Sequence, residues 1–446
     1  MKSPIAVIDG DRAAPMFKMI PSSGARHVLI VPHSRIFELS PIVETKGYEE
    51  PSPGLIATLA NTAYGEVPLS HVVAPEPQSI SLNVSSSCNL SCSYCYASQG
   101  SFQGLQPAPM SWEVAKKAID KLLGNADPLA PITIGFLGGE PFLNRRLIYR
   151  VVEYATEAGR PGGLDVRFSV TTNGTTLTLD DIELLRSYHF AVTVSIDGGE
   201  KIQNLQRPAA ASSRSSFEQL IERTQPLLVN PGLAKVAARA TVRRDNLELR
   251  ERFEDILAIG FQEVGFAPLR VASGEEGALR DGDWVDYREA IVEIAKSEIE
   301  RIRRGLSVRF TNLAVALKQI HRGASSPYPC GAGGGYFSVS ANGDWYACHR
   351  AIGTPEYKLG NNEGLDSKRR LNFLSTKHVH SQSDCSNCWA RYLCSGGCHQ
   401  EASSRSLSSC GFIRDWLEFC LTTYCELSAG FPDFFNYSQN SAGELE

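Results

Sequence analysis

The chain turns on Cys88-Asn-Leu-Ser-Cys92-Ser-Tyr-Cys95, three cysteines separated by three and two residues, set directly after the alternating stretch Ser79 to Ser87. Three thiolates on one tight loop suit three irons of a cubane iron-sulfur cluster and leave the fourth iron without a protein ligand. The same residues also read as small buried side chains on a turn, or as part of a zinc site, because cysteine is often simply buried. The segments on either side decide between these readings.

From Ile80 to about Pro268, strand-like and helix-like segments alternate, the pattern of a parallel sheet with crossover helices. The expected strands are Ile80 to Val84, Ile132 to Leu137, Asp165 to Thr171, Ala191 to Ile196, Lys235 to Val242 and Glu263 to Ala267. Helical stretches such as Ser111 to Leu123, Arg145 to Ala158, Asp180 to Tyr188, Ser216 to Thr224 and Leu247 to Ile259 lie between them. Six such units predict an α/β fold, a partial TIM-like (β/α)6 barrel. Ligands of such folds gather at the C-terminal ends of the strands. Gly138-Gly139-Glu140-Pro141, Thr171-Thr172-Asn173-Gly174-Thr175 and Ser195-Ile196-Asp197-Gly198 all fall there. Glycines admit a ligand close to the backbone, and the Glu140 carboxylate suits an ammonium group. The hydroxyl and amide groups suit a ribose or a carboxylate. Each run alone is an ordinary turn; their shared position at strand ends carries the information.

With the cysteine triplet, Gly138 to Pro141, Asn173 and Ser195 in this order, residues 80 to 270 resemble a radical S-adenosylmethionine (SAM) enzyme. The spacing CxxxCxxC with an aromatic residue, Tyr94, before its last cysteine is specific to that family when a Gly-Gly-Glu-Pro strand end follows. The resemblance implies that Cys88, Cys92 and Cys95 hold a [4Fe-4S] cluster whose open iron is chelated by the methionyl amine and carboxylate of SAM. It further implies that Gly138, Gly139 and Glu140 contact the amine and that Tyr94, Asn173 and Ser195 belong to the cofactor site. Arg239, on the fifth expected strand, resembles a residue that anchors the SAM carboxylate, a task suited to a guanidinium; a plain ion-paired arginine is the alternative. In that family one electron cleaves SAM to methionine and a 5'-deoxyadenosyl radical, which abstracts hydrogen from an unactivated carbon.

No cysteine follows Cys95 until Cys330, after which come Cys348, Cys385, Cys388, Cys394, Cys398 and Cys410. By spacing alone, Cys385, Cys388, Cys394 and Cys398 also suit a four-cysteine zinc site. The whole seven-cysteine order resembles the SPASM extension of radical SAM enzymes, which holds two auxiliary [4Fe-4S] clusters. That resemblance assigns Cys330, Cys348 and Cys398 to the first cluster and Cys385, Cys388, Cys394 and Cys410 to the second. Some family members carry another cysteine between those matching Cys330 and Cys348; here there is none, so the first cluster is expected to have an open iron, to be filled by substrate, solvent or another residue. Cys420 and Cys425, on an apparent helix Ile413 to Leu427, read as buried structural residues.

The expected division is an N-terminal αβ appendage over 1–78, the radical SAM core over 79–270, a bridging helical region over 271–329, a SPASM domain over 330–428 and a tail over 429–446. In the appendage, His27 to Pro32 and Arg35 to Leu39 read as strands and Pro53 to Ala63 as a helix, after a loosely ordered leader up to about residue 26. It reads either as a peptide-docking platform or as a cap on the barrel.

The chain has 446 residues, 42% hydrophobic and 21% charged, with a net charge of -5, the balance of a soluble globular protein. Its acidic pI near 6.1 and dispersed Lys and Arg leave no electrostatic footprint for nucleic acid. No apolar run approaches membrane-span length, and the N-terminus lacks a signal-peptide core. Twelve cysteines without a secretory signal point to metal or cluster ligation in a reducing, cytoplasmic setting.

SPASM-bearing radical SAM enzymes typically modify a peptide or protein. The resemblance therefore implies a maturase that installs a carbon-carbon, carbon-oxygen or thioether crosslink in a ribosomally made precursor peptide, with a reductant such as flavodoxin or ferredoxin. Alternatives are formylglycine formation by an anaerobic sulfatase maturase, and maturation of an amine dehydrogenase subunit. Sulfatase maturases commonly carry Asp directly after the cysteine matching Cys348, where this chain has His349. A non-catalytic metal-binding scaffold explains the cysteines but not the strand-end motifs. No catalytic base is legible.

Overall fold

The computed structural model describes residues 16–21, 26–39, 51–62, 72, 74–102, 108–271, 275–323, 325–401 and 405–435. The expected leader up to residue 15 and the tail beyond Phe435 lie outside the described residues. The first three strands, β1 (Phe17–Ile20), β2 (Arg26–Ile30) and β3 (Arg35–Leu39), form an antiparallel sheet in that order, followed by the helix Pro53–Thr62. β1 corrects the sequence reading, which left everything before residue 26 without structure. Pro21 follows the strand and lies outside its pairing, so the four residues Phe17–Ile20 are free to ladder with β2. This sheet sits against the C-terminal helix Leu407–Gly430. Lys18 Nζ lies 2.9 Å from Glu418 Oε2, and Thr422 Oγ1 donates to the Pro21 carbonyl at 2.7 Å.

Six parallel strands follow: β4 (Ser79–Ser85), β5 (Ile132–Gly138), β6 (Val166–Thr172), β7 (Phe190–Ser195), β8 (Lys235–Val242) and β9 (Val264–Pro268). They pair in chain order. Three helices between them start on side-chain caps. The Ser111 hydroxyl accepts from Val114 N–H and the Ser215 hydroxyl from Glu218 N–H, while Thr178 and Asp181 close a capping box.

The alternation of side chains divides the strands into two faces. Ile80, Leu82, Val84, Ile132, Ile134, Phe136, Phe168, Val170, Val192 and Val194 point outward, buried against the helices. Phe136, Phe168 and Phe190 stack across three strands, with centroids 6.3 and 5.3 Å apart between consecutive rings. The inward positions are mostly small or polar, among them Ser81, Thr133, Gly135, Ser169, Thr171, Thr193 and Ser195. Closed barrels of this type fill their interior with bulky branched residues. Here the interior stays open as a cavity of about 1520 Å³.

The barrel does not close on itself. β4 pairs on its far side with β10 (Tyr336–Val339), in parallel, and the sheet continues antiparallel through β11 (Trp345–Tyr346), β12 (Lys358–Asn361) and β13 (Gly364–Leu365). The cysteine-rich region is therefore joined to the barrel by one ten-stranded sheet. Two helices, Asp281–Arg303 and Thr311–Arg322, connect β9 to this extension. No helix among the described residues is long and apolar enough to cross a membrane.

Candidate functional site

Leaving β4, the chain enters the cysteine loop, which is pinned from two sides. On one side Gly139 N–H donates to the Ser85 carbonyl at 2.8 Å and Glu140 N–H to the Ser87 carbonyl at 2.9 Å, so the end of β5 keeps its ladder with the loop. On the other, Ser91 and Ser93 N–H donate to the carbonyls of Pro208 and Gln206, and Ala210 N–H donates to the carbonyl of Asn89. Cys88, Cys92 and Cys95 all reach the cavity. Two sulfurs accept backbone N–H groups, Cys88 from Leu90 at 3.4 Å and Cys95 from Gln99 at 3.3 Å. Ser98 and Gln99 take positive φ of 45° and 59°, and this bend aims the Gln99 N–H at the sulfur.

Burial raises the Cys88 thiol to about 12 and raises Cys92 as well. Without a metal these thiols hold their protons; binding to iron makes them thiolates and releases those protons. Soft sulfur donors supported by backbone N–H groups fit an iron-sulfur cluster.

The geometry changes the role of the Gly-Gly-Glu-Pro turn. A Cβ on Gly138 would lie 2.2 Å from the Ser85 carbonyl oxygen, and one on Gly139 2.2 Å from that of Ser87. The glycines make room for the cysteine loop itself, while both still line the cavity. Glu140 is fully buried and its carboxylate takes three hydrogen bonds. It accepts from Thr172 Oγ1 at 2.7 Å, Asn173 N–H at 2.8 Å and Phe142 N–H at 3.2 Å. The carboxylate thereby ties the ends of β5 and β6 together. Burial raises its pKa to about 7 against these three donors.

Asn173 lines the cavity and links three strand ends. Its amide donates to Asn89 Oδ1 at 2.9 Å and lies 3.8 Å from Cys88 Sγ, while its Oδ1 accepts from Thr175. Ser195 and Arg239 pair in register on β7 and β8, and both face the cavity. Arg239 is enclosed by protein yet open to the cavity's solvent, and its guanidinium makes no hydrogen bond or ion pair with a described residue. Burial, the largest influence, works against its charge, as does nearby Arg270. An unpaired guanidinium at that point suits an anionic ligand group.

Sequence reasoning missed the centre of this wall. Asp197 is fully buried; its carboxylate accepts from Arg207 Nε at 2.9 Å, from Thr241 N–H at 2.8 Å and from the Tyr94 hydroxyl. It thus binds the cysteine loop to β8 and to the segment after the helix Glu200–Gln206. The signal was available in Asp197 directly following a strand end, but its arginine partner is ten residues on and has no motif.

In the C-terminal region the seven cysteines fall into two groups by mutual influence. Cys348, raised to about 11 by burial, is raised further by its neighbours Cys330 and Cys398. Cys394, also raised to about 11 by burial, feels Cys385, Cys388 and Cys410. Only Cys330 and Cys348 line the barrel cavity. Among the described residues, no group of three or more His, Cys, Asp or Glu is gathered for a single metal ion. Cys420 and Cys425 are buried in the helix Leu407–Gly430, away from these groups. His349 Nδ1 lies 3.1 Å from the Tyr336 hydroxyl, itself 2.7 Å from Ser81 Oγ inside the barrel. Tyr96, next to Cys95, sets its ring edge to face with His349 at 5.7 Å. One chamber therefore runs from the triplet loop to Cys330 and Cys348.

Residues 82–225 match the family model of the radical SAM superfamily. The chain is similar to a serine-type anaerobic sulfatase-maturating enzyme of Bacteroides thetaiotaomicron, 26% identical over 349 residues that cover 72% of this chain and 81% of that one. It is also similar to the radical SAM cyclopropyl synthase TigE of Paramaledivibacter caminithermalis, 25% identical over 346 residues, 72% of this chain and 67% of that one. Among solved structures, native anSMEcpe with bound AdoMet and Cp18Cys peptide shares the fold, with a TM-score of 0.63 at 20% identity, covering 82% of this chain and 99% of that one.

Proposed function

We propose that this chain, a radical SAM enzyme, is a maturase that acts on a peptide or protein, and that its reaction closes an oxidative crosslink in a ribosomally made peptide. The observation that carries the reading is the single chamber: about 1520 Å³ bounded by the triplet loop on one side and by Cys330 and Cys348 on another. Ordinary small-molecule pockets run to about 1,000 Å³, so this one has room for a nucleoside cofactor and a peptide segment together. The similarity to a sulfatase-maturating enzyme and to a cyclopropyl synthase supports a maturase.

A [4Fe-4S] cluster with SAM would supply, on one-electron reduction, a 5'-deoxyadenosyl radical able to take hydrogen from an unactivated carbon. In this reading Cys88, Cys92 and Cys95 hold that cluster. The backbone of Gly138 and Gly139, with Asn173, Ser195 and Arg239, holds the methionyl and ribose ends of SAM. Tyr94, fixed by Asp197, would form part of the same cavity wall. Cys330, Cys348 and Cys398 serve one auxiliary cluster and Cys385, Cys388, Cys394 and Cys410 another, within a domain over 330–428 that follows the core over 79–270. A small redox protein such as flavodoxin or ferredoxin supplies electrons. Twelve free cysteines support a reducing, cytoplasmic setting.

The appendage over 1–78 serves as the peptide dock. Among the described residues β3 pairs only with β2, which leaves an edge for a strand contributed by a partner. β3 begins beside Ser34, whose hydroxyl lies 2.8 Å from that of Ser325, one residue before cavity-lining Ser326. A strand laid antiparallel on β3 would leave it at the cavity.

Formylglycine formation is the second reading, favoured by the similarity to the sulfatase-maturating enzyme. Against it stands the lining of the chamber: no Asp or Glu among the described residues, and His349 where sulfatase maturases commonly carry Asp. The test is anaerobic reconstitution with iron and sulfide, then mass spectrometry of peptides encoded beside the gene after incubation with SAM and reductant. Serine-derived formylglycine and a crosslink both remove two hydrogens, so a hydrazide reagent is added: a labelled product is the aldehyde, and an unlabelled product whose fragmentation skips a segment is the crosslink. Deoxyadenosine without any altered peptide would sink both readings.

A further inference from the structure

The chamber is one-sided in charge. Among the described residues its lining includes seven Arg or Lys and no carboxylate. Several of these cations are matched from outside the lining: Arg207 by Asp197, Arg167 by Asp165 and Arg270 by Glu401 at 2.7 Å. Arg239 is unpaired, and the reading above gives it the SAM carboxylate. Arg350 differs from all of these.

Arg350 follows Cys348 by two residues and is clamped without being neutralised. Its Nε donates to Gln400 Oε1 at 2.8 Å, its Nη2 donates to the Arg270 carbonyl at 2.9 Å, and Gln400 Nε2 donates back to the Arg350 carbonyl at 3.0 Å. Its guanidinium centre lies 4.6 Å from the centroid of the Tyr96 ring. These contacts fix the plane of the group, but all of its partners are uncharged. Nη1 donates to no described residue, and Arg350 faces the cavity between the triplet loop and Cys348. A rigid guanidinium with a free donor, stacked on an aromatic face and enclosed in a wall without acids, is built to receive a carboxylate.

We propose that Arg350 anchors a carboxylate of the peptide substrate, either an Asp or Glu side chain near the modified residue or the peptide's own C-terminus. This rests on the peptide-maturase reading. The competing role for the same cation is to balance the thiolates of Cys330, Cys348 and Cys398.

The test uses anaerobically reconstituted full-length enzyme with SAM and two nonapeptide libraries. One is acetylated and amidated with a central Asp, Glu, Asn, Gln or Lys; the other lacks acidic side chains and has free or amidated C-termini. Peptides retained with the enzyme on gel filtration are counted by mass spectrometry. The expected result is enrichment of carboxylate-bearing peptides on the order of tenfold, as charge-assisted pairs give. That enrichment should vanish in Arg350→Gln, persist weakly in Arg350→Lys and turn toward Lys peptides in Arg350→Glu, at iron content equal to wild type. The library that shows it identifies side chain or C-terminus as the source. Equal enrichment in wild type and Arg350→Gln overturns the proposal. So does a wild type that retains acidic and neutral peptides alike, or an Arg350→Gln enzyme whose auxiliary reduction potential shifts while its peptide selection does not. If wild type retains no peptide at all, the peptide-maturase reading fails first and takes this inference with it.

Discussion

The two cysteine regions are held in opposite ways. The triplet loop is fastened before any metal arrives: β5 ladders onto it through Gly139 and Glu140, residues 206–210 bond to its other side, and Asp197 grips Tyr94 within it. Around Cys385, Cys388, Cys394 and Cys398 the backbone is mostly turns, with one helix of four residues at Ser383–Ser386. A site framed by sheet should survive loss of its cluster, whereas a site framed by turns needs the cluster to hold its chain together. The difference separates a barrel that positions chemistry from an extension that metal must help fold.

The largest expected effect pits the two against each other. Cys92→Ala should abolish SAM cleavage completely while leaving proteolytic protection of 79–270 unchanged. Cys394→Ala should retain measurable SAM cleavage but expose 380–410 to protease and hydrogen exchange. If Cys92→Ala also opens the barrel, the triplet loop depends on its cluster as much as the extension does, and the contrast is lost. Chelation of iron from wild type should give the same asymmetry, cleavage beginning beyond residue 330 while the barrel stays intact.

Next come substitutions that attack the protein fastening of the triplet. Asp197→Asn leaves Arg207 buried without its partner, and breaking a buried ion pair costs about 3–5 kcal/mol. The expected outcome is a lowered denaturation midpoint for the barrel together with weaker SAM binding, since Tyr94 loses its anchor. Gly139→Ala places a methyl 2.2 Å from the Ser87 carbonyl oxygen, a backbone atom that moves only with the loop. A loss of roughly 3 kcal/mol and displacement of the triplet, read as lost iron at constant auxiliary content, should follow. Unchanged iron in Gly139→Ala would mean that the loop shifts freely and the ladder to β5 is dispensable.

The same contrast governs what the sequence disclosed. The six barrel strands were legible because their outward positions are mostly bulky and apolar and their inward ones mostly small or polar, an alternation that runs from Ile80 to Phe266. β10 to β13 were not, because strands of two to four residues interleaved with glycines carry no period. The helix Thr311–Arg322 was missed for lack of a side-chain cap, since Phe310 occupies its N-cap; Gly323 at φ 57° was a stop signal that sequence reading did not use. The helix Ser216–Val229 runs past the expected end at Thr224, through Pro226, because its first turns are already secured by Ser215 and by burial of Leu220 and Leu227. Within the site, motif residues were found and their partners were not: Glu140 was legible, but that its carboxylate serves Thr172 and Asn173 depends on two strands meeting in space.

The smallest expected effect tests that last point. Glu140 lies where β5 meets β6, and burial outweighs its three donors, raising its pKa from 4.5 to about 7. A carboxyl raised in the folded state binds its proton more tightly there than in the unfolded chain. Its contribution to stability is therefore full below about pH 4.5 and is lost as the pH climbs through 7, beyond which the curve flattens. Each unit of such a shift is worth about 1.4 kcal/mol, so the change over this window should be about 2–3 kcal/mol. Glu140→Gln is neutral throughout and keeps an acceptor for Thr172 or Asn173. Denaturant melts of the barrel at pH 5 and pH 7.5 should move the variant relative to wild type by that amount, in favour of glutamine at the higher pH. Parallel pH slopes in the two proteins would mean that Glu140 is ionised in the fold across this range, its three donors outweighing burial. The strand-end tie would then be a charged one, as firmly supplied with hydrogen bonds as Asp197.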